Sequence, residues 1–162
     1  MLDKYFQKPV FWDYTITAIL IIGVKVLYYT GKINPPKLEI LLSLSSDIAG
    51  VSFTSAGFII TLVTVIITFK SNTKATKSYN TKSNSVFELF FASNLYFETV
   101  IHFKNCVKSL IFVSVVGFIL QLLNRNSQQE ILFIYCASGI LIILLSLWRC
   151  LLILSKIVKM QE

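Results

Sequence analysis

Glu98, His102 and Cys106 follow one another at intervals of four residues, so on a helix they share one face, and all three side chains can ligate a transition metal. Zinc would need a fourth ligand, and the neighbouring sequence offers none; a structural hydrogen bond between carboxylate and imidazole is the simpler use of the pair. No metal and no other cofactor is therefore expected. Asp13 and Lys25 interrupt the first apolar run, and an ionisable group inside a membrane span is a functional candidate by default. Both sit near the ends of that run, about 18 Å apart on one helix, so Asp13 can reach one interface while Lys25 snorkels to the other. The chain has a single histidine, no glycine-rich phosphate loop, no paired carboxylates within a span and no nucleophile beside a base. No catalytic residue is assigned, and an enzyme is not expected.

The elements that must position these groups are set by the solvent. Of the 162 residues, 55% are hydrophobic and only 14% charged, against roughly a quarter charged in an ordinary soluble domain. Too few charges remain to cover a soluble globule of this length, so lipid is expected to solvate much of the surface. Four apolar runs, about 10–29, 48–69, 106–123 and 131–155, each approach the ~20 residues that an α-helix needs to cross a bilayer core. They lack period-two alternation, which argues helices over a β-barrel. The expected fold is all-α, a single membrane domain over 1–162: a bundle of four transmembrane helices.

The net charge of +7 then reads as topology before it reads as affinity. The loop between the second and third spans carries Lys70, Lys74, Lys77 and Lys82 and no acid. Placing it in the cytoplasm puts both termini there too, with Lys4, Lys8, Arg149, Lys156 and Lys159, and leaves Lys32, Lys37 and Arg125 outside. The four loop lysines form a basic face for anionic lipid or a cytosolic protein partner. Arg149 is expected to meet lipid headgroups. No nucleic-acid contact is expected, because no soluble aromatic-interleaved domain exists to present the bases. The first helix, interrupted by Asp13 and Lys25 and followed by no small-residue cleavage site, is expected to be retained. Cys106, Cys136 and Cys150 are widely spaced and lie in or near apolar helices, where reduced structural thiols are expected.

The most regular pattern lies in the second span. Gly50, Thr54, Gly57, Thr61, Thr64 and Thr68 recur at steps of four and three, the spacing that holds one seam toward a partner helix. In lipid such a seam marks close helix approach, within the bundle or between subunits; in an oligomer the same hydroxyls could line a water-filled path. Ser114, Gly117, Gln121 and Asn124 form a weaker counterpart on the third span, and Gly139 and Ser146 one on the fourth. Ser85 and Glu88 fit a capping box, from which a long third helix is expected to run to Leu123, its first part extending through 70–105 into the cytoplasm with its loop. That extension, rich in Phe87, Phe90, Phe91, Phe97 and Phe103, would either lie on the inner leaflet or prolong the bundle below it.

Four spans, a basic inner loop at Lys70 to Lys82 and a second span reading Ala56-Gly57-Phe58-Ile59-Ile60-Thr61 resemble the small four-helix membrane subunits of bacterial phage-defence operons, including the membrane component of the Kiwa system. The resemblance implies a homo-oligomer in the bacterial inner membrane that senses or damages that membrane during infection, alone or with a cytosolic partner. A small transporter or channel, or a phage holin, is the alternative. Small multidrug carriers place their carboxylate deep in the first span, whereas Asp13 stands at its entrance.

Overall fold

A computed structural model describes residues 9–31, 35–76, 94–123 and 129–159, with side chains over 11–31, 35–71, 96–123 and 129–155. These residues form four helices: α1 (Pro9–Tyr29), α2 (Leu38–Thr76), α3 (Asn94–Leu122) and α4 (Gln129–Lys159). All four are long and apolar enough to cross a membrane, with candidate spans at Phe11–Tyr29, Leu38–Ser71, Tyr96–Leu122 and Gln129–Ser155. Among the described residues the regular structure is all helix, as expected from four long apolar runs without period-two alternation.

Two boundaries differ from expectation. The second apolar run is expected from residue 48, with connecting loop before it, but α2 begins ten residues earlier at Leu38, two positions after Pro36, and its 39 residues make it the longest of the four helices, about 58 Å. The reason is visible in Leu41, Ser45, Ile48, Ala49, Ser52, Ala56 and Ile59, one continuous buried face that crosses the supposed loop boundary without a break. Polar Ser43, Ser46 and Asp47 lie on the exposed side of that same helix. The third helix runs from Asn94 over 29 residues, and its apolar stretch already begins at Tyr96, ten residues before the expected span. The capping box at Ser85 and Glu88 lies outside the described residues.

Connections alternate in direction. Gly31, at φ +68°, ends α1 in the left-handed conformation that glycine adopts without penalty, its N–H bonding the Tyr28 carbonyl at 3.0 Å. The start of α4 meets the start of α2 where Gln129 Nε2 donates to the Pro36 carbonyl at 2.7 Å. At the opposite end Lys70 of α2 lies over the rings of Tyr96 and Phe97 at the start of α3, 3.7 and 4.1 Å from their centroids. The helices therefore run up, down, up and down.

The core belongs to α2, α3 and α4, and α1 docks chiefly on α4. Close approach in the core depends on small residues. A Cβ on Gly117 would fall 2.9 Å from Ala49 Cβ and inside the hydroxyl of Tyr135, while one on Gly139 would fall 2.9 Å from Ile48 Cγ2. Tyr135 Oη donates to the Val113 carbonyl at 3.0 Å, and Ser52 Oγ donates to the Leu110 carbonyl at 2.8 Å. Where both solvent and neighbour are apolar, burial alone gives helices little reason to associate, so such contacts carry the packing.

Candidate functional site at a buried ion pair

On α1 the two buried residues among those described are Asp13 and Thr17, one turn apart and both polar. Isoleucines on the rest of the helix, Ile16, Ile19 and Ile22, point outward. The usual amphipathic order is thus inverted: on a helix long and apolar enough to cross a membrane, the two buried side chains are polar and the outward ones apolar. Thr17 Oγ1 returns to the Asp13 carbonyl at 2.8 Å. Asp13 is 4% exposed, and its carboxylate receives a charge-assisted hydrogen bond from Nη2 of Arg149, which is fully buried on α4.

This pairing corrects the expectation that Arg149 meets lipid headgroups. The sequence places Arg149 at a cytoplasmic end by count of positive charges, but the arginine faces inward because its carboxylate partner stands on α1. Burying two charges costs several kcal/mol per ion, and close pairing is what offsets that cost. The guanidinium has donors to spare: Nε and Nη1 are buried and have no hydrogen-bond partner among the described residues.

Around the pair α3 and α4 bring further polar groups. Cys106 Sγ lies 3.7 Å from the Ser146 carbonyl, to which it donates, and the Ser146 hydroxyl itself is buried without a partner among the described residues. Cys150, adjacent to Arg149, sits one turn beyond Ser146, the residue whose carbonyl accepts from Cys106. His102 is half-buried on α3 within electrostatic reach of Arg149 and Glu98. Glu98 itself is exposed, and no cluster of three or more His, Cys, Asp or Glu able to hold a metal exists among the described residues. Glu98, His102 and Cys106 share a helix face in sequence yet turn progressively from the surface into the core.

The small-residue seam of α2 is brought to a different place. Gly50 is half-buried, whereas Thr54, Gly57, Thr61, Thr64 and Thr68 are exposed, and nothing lies within 4 Å of a Cβ built on Gly50 or Gly57. The threonine hydroxyls bond back to their own helix, Thr61 to the Gly57 carbonyl at 3.0 Å and Thr68 to the Thr64 carbonyl at 2.9 Å. Within one chain the seam is not a packing face. The α2 face that packs carries a second small-residue row, Ser45, Ala49, Ser52 and Ala56, at the same four-three-four spacing on the other side of the helix. The expected counterpart on α3 divides: Ser114 and Gly117 are buried in the core, and Gln121 is half-buried with its Nε2 enclosed.

Of the basic face, Lys70 is half-buried against Tyr96 and Phe97; Lys74 belongs to α2, its side chain outside the described residues, as are Lys77 and Lys82 altogether. The pairing of Asp13 with Arg149 was the feature that sequence reasoning missed. One signal was available, since a lone acid and a lone arginine, each inside an apolar run, are the natural partners for one another. No protein-family model, no curated protein and no solved structure matches this chain.

Proposed function

We propose that the chain is a non-enzymatic, homo-oligomeric protein of the bacterial inner membrane that acts as an effector or sensor in phage defence, on membrane integrity or with a cytosolic partner. The observation that carries the oligomer is the outward direction of the α2 seam. A face of glycine and back-bonded threonine, open to close approach along several turns, is suited to another helix. The chain's own α3 and α4 occupy the opposite side of α2, so a second copy is the partner that the proposal assigns to it. Phage defence rests on the resemblance in span number, basic loop and second-span sequence. In this reading both termini and the loop that follows α2 are cytoplasmic, and the loop lysines meet anionic lipid or the partner.

The test is expression of the chain in bacterial cells, alone and with its neighbouring genes, followed by phage challenge with a membrane-potential dye present. Reduced plating accompanied by depolarisation supports an effector on the membrane. Reduced plating at unchanged potential supports a sensor that works through its partner. Unchanged plating and potential under both conditions would remove the defence assignment.

A further inference from the structure

The geometry points to Cys106 and Cys150 as an oxidisable dithiol that closes to a disulfide between α3 and α4 beside the Arg149–Asp13 ion pair. Cys106 Sγ is 3.7 Å from the carbonyl of Ser146. That carbonyl belongs to the residue one turn before Cys150 on the same face of α4, so the Cys106 sulfur lies against the turn from which the Cys150 side chain projects. Both residues are buried, at 0% and 4% exposure, so the two thiols share one enclosed stretch of the α3–α4 contact. They are free thiols on two different helices.

The surroundings decide which oxidants can act. Glutathione, a charged tripeptide, cannot reach sulfurs enclosed to this degree, whereas a peroxide is small and uncharged. In the first step the Cys106 sulfur, having lost its proton, attacks one peroxide oxygen; the O–O bond breaks and the departing hydroxide takes up that proton as water, leaving a sulfenic acid. In the second step the Cys150 sulfur attacks the sulfenic sulfur, an S–S bond forms, and the hydroxyl leaves with the Cys150 proton as a second water. Two thiols are oxidised by two electrons and one peroxide is reduced to two waters. Arg149 contributes without reacting: its buried Nε and Nη1 donors are unengaged among the described residues and can be turned to a sulfur that carries negative charge.

Cys136 supplies an internal comparison. It is also buried and free, but it lies fourteen positions before Cys150 on α4, about 21 Å along the helix, and its sulfur donates to the Leu41 carbonyl at 3.8 Å. Cys136 should stay reduced while the other pair closes. The disulfide would tie α3 to α4 at the level where α1 docks, which couples the oxidative state of the cell to the setting of Arg149.

The experiment uses the full chain reconstituted in lipid nanodiscs, treated with hydrogen peroxide, alkylated and mapped by mass spectrometry. The expected product is an intrachain Cys106–Cys150 cross-linked peptide, lighter by two hydrogens, with Cys136 fully alkylated. The link should form in the Cys136→Ser variant and be lost from both Cys106→Ala and Cys150→Ala, whose folding is checked by size and helicity. Cys136→Ser carries the test should either alanine variant fail to fold, since it retains the pair unchanged. The proposal is overturned if all three thiols remain alkylatable at peroxide doses that oxidise free glutathione, if Cys106 advances to the sulfinic acid without a link, or if the only disulfides join separate chains.

Discussion

Arg149 of α4 holds Asp13 of α1 across 136 positions of sequence, and both side chains are enclosed by the protein. Ile16, Ile19 and Ile22 of α1 turn outward, and the pair ties the buried side of that helix to α4. Replacing Asp13 by Asn or Arg149 by Met leaves the other charge buried and uncompensated, at a cost of about 3–5 kcal/mol where the surviving charge cannot reach water. The double replacement should recover a large part of that loss. Unfolding of the four chains in mixed micelles measures the cycle, and additive losses in the double variant would show that the two residues act separately.

A second relationship tests the core. Gly117→Ala places a methyl group inside the Tyr135 hydroxyl and 2.9 Å from Ala49 Cβ, so it should destabilise by about 1–3 kcal/mol despite alanine's better helix propensity. Adding Tyr135→Phe removes the nearest clashing atom and should restore part of the loss. The same change at Gly57, where nothing lies within 4 Å, should leave the isolated chain as stable or slightly more so. Equal effects at the two glycines in the same unfolding assay would contradict this assignment of faces.

If a second copy seats on the α2 seam, as proposed, Gly57 should matter in that assembly. Gly57→Leu adds bulk to the outward seam without touching the chain's own core, so oligomer size in nanodiscs should fall while helicity and thermal unfolding of the monomer hold. Gly57→Ala should be tolerated, because bulk and not polarity limits the approach. An unchanged mass distribution for the leucine variant would remove this seam from the interface.

How much of this arrangement was legible in the sequence can be judged at α2. Its existence was evident from an uncharged run of apolar residues, but its start was not, because Ser43, Ser45, Ser46 and Asp47 look like loop while Ser45 is in fact buried and its neighbours line the outer side. Composition counts polar residues; only periodicity shows that Leu41, Ser45, Ile48 and Ser52 belong together. The two small-residue rows of α2 have the same spacing, and nothing local to either tells which meets the chain's own helices. That choice is made by α3, through the room at Gly117 and the Leu110 carbonyl that accepts from Ser52. The ion pair was hidden for a related reason. Charge counting assigns each residue to a side of the membrane one at a time, whereas Asp13 and Arg149 have meaning only as a pair.

Orientation follows from which end of the bundle is cytoplasmic. Lys70, Tyr96, Asp13 and Arg149 lie toward one end, Pro36 and Gln129 at the other. If the lysines after α2 set the topology, a reporter active only in the cytoplasm should work after Glu162 or within 70–82 and fail within 124–130. Activity at the last site would reverse the assignment.

The final prediction separates a chain that permeabilises from one that anchors a partner. A pore in the assembly needs an aqueous lining, and Thr54, Thr61 and Thr68 are three of the four exposed threonines on the open face of α2, Thr64 being the fourth. Each hydroxyl already bonds a carbonyl of its own helix, so the change to valine removes a polar surface while leaving the backbone hydrogen bonds and the side-chain shape in place. The triple Thr→Val chain should therefore fold and assemble as before, with interhelical hydroxyl bonds, averaging about 0.6 kcal/mol each, as the largest loss that assembly could suffer. In cells that overexpress the chain alone, a permeabilising native sequence should collapse the membrane potential and its triple variant leave it intact at equal oligomer size, whereas a chain that only anchors a partner should leave the potential unchanged in both forms. Depolarisation that survives the substitution places the conducting path elsewhere than along these threonines.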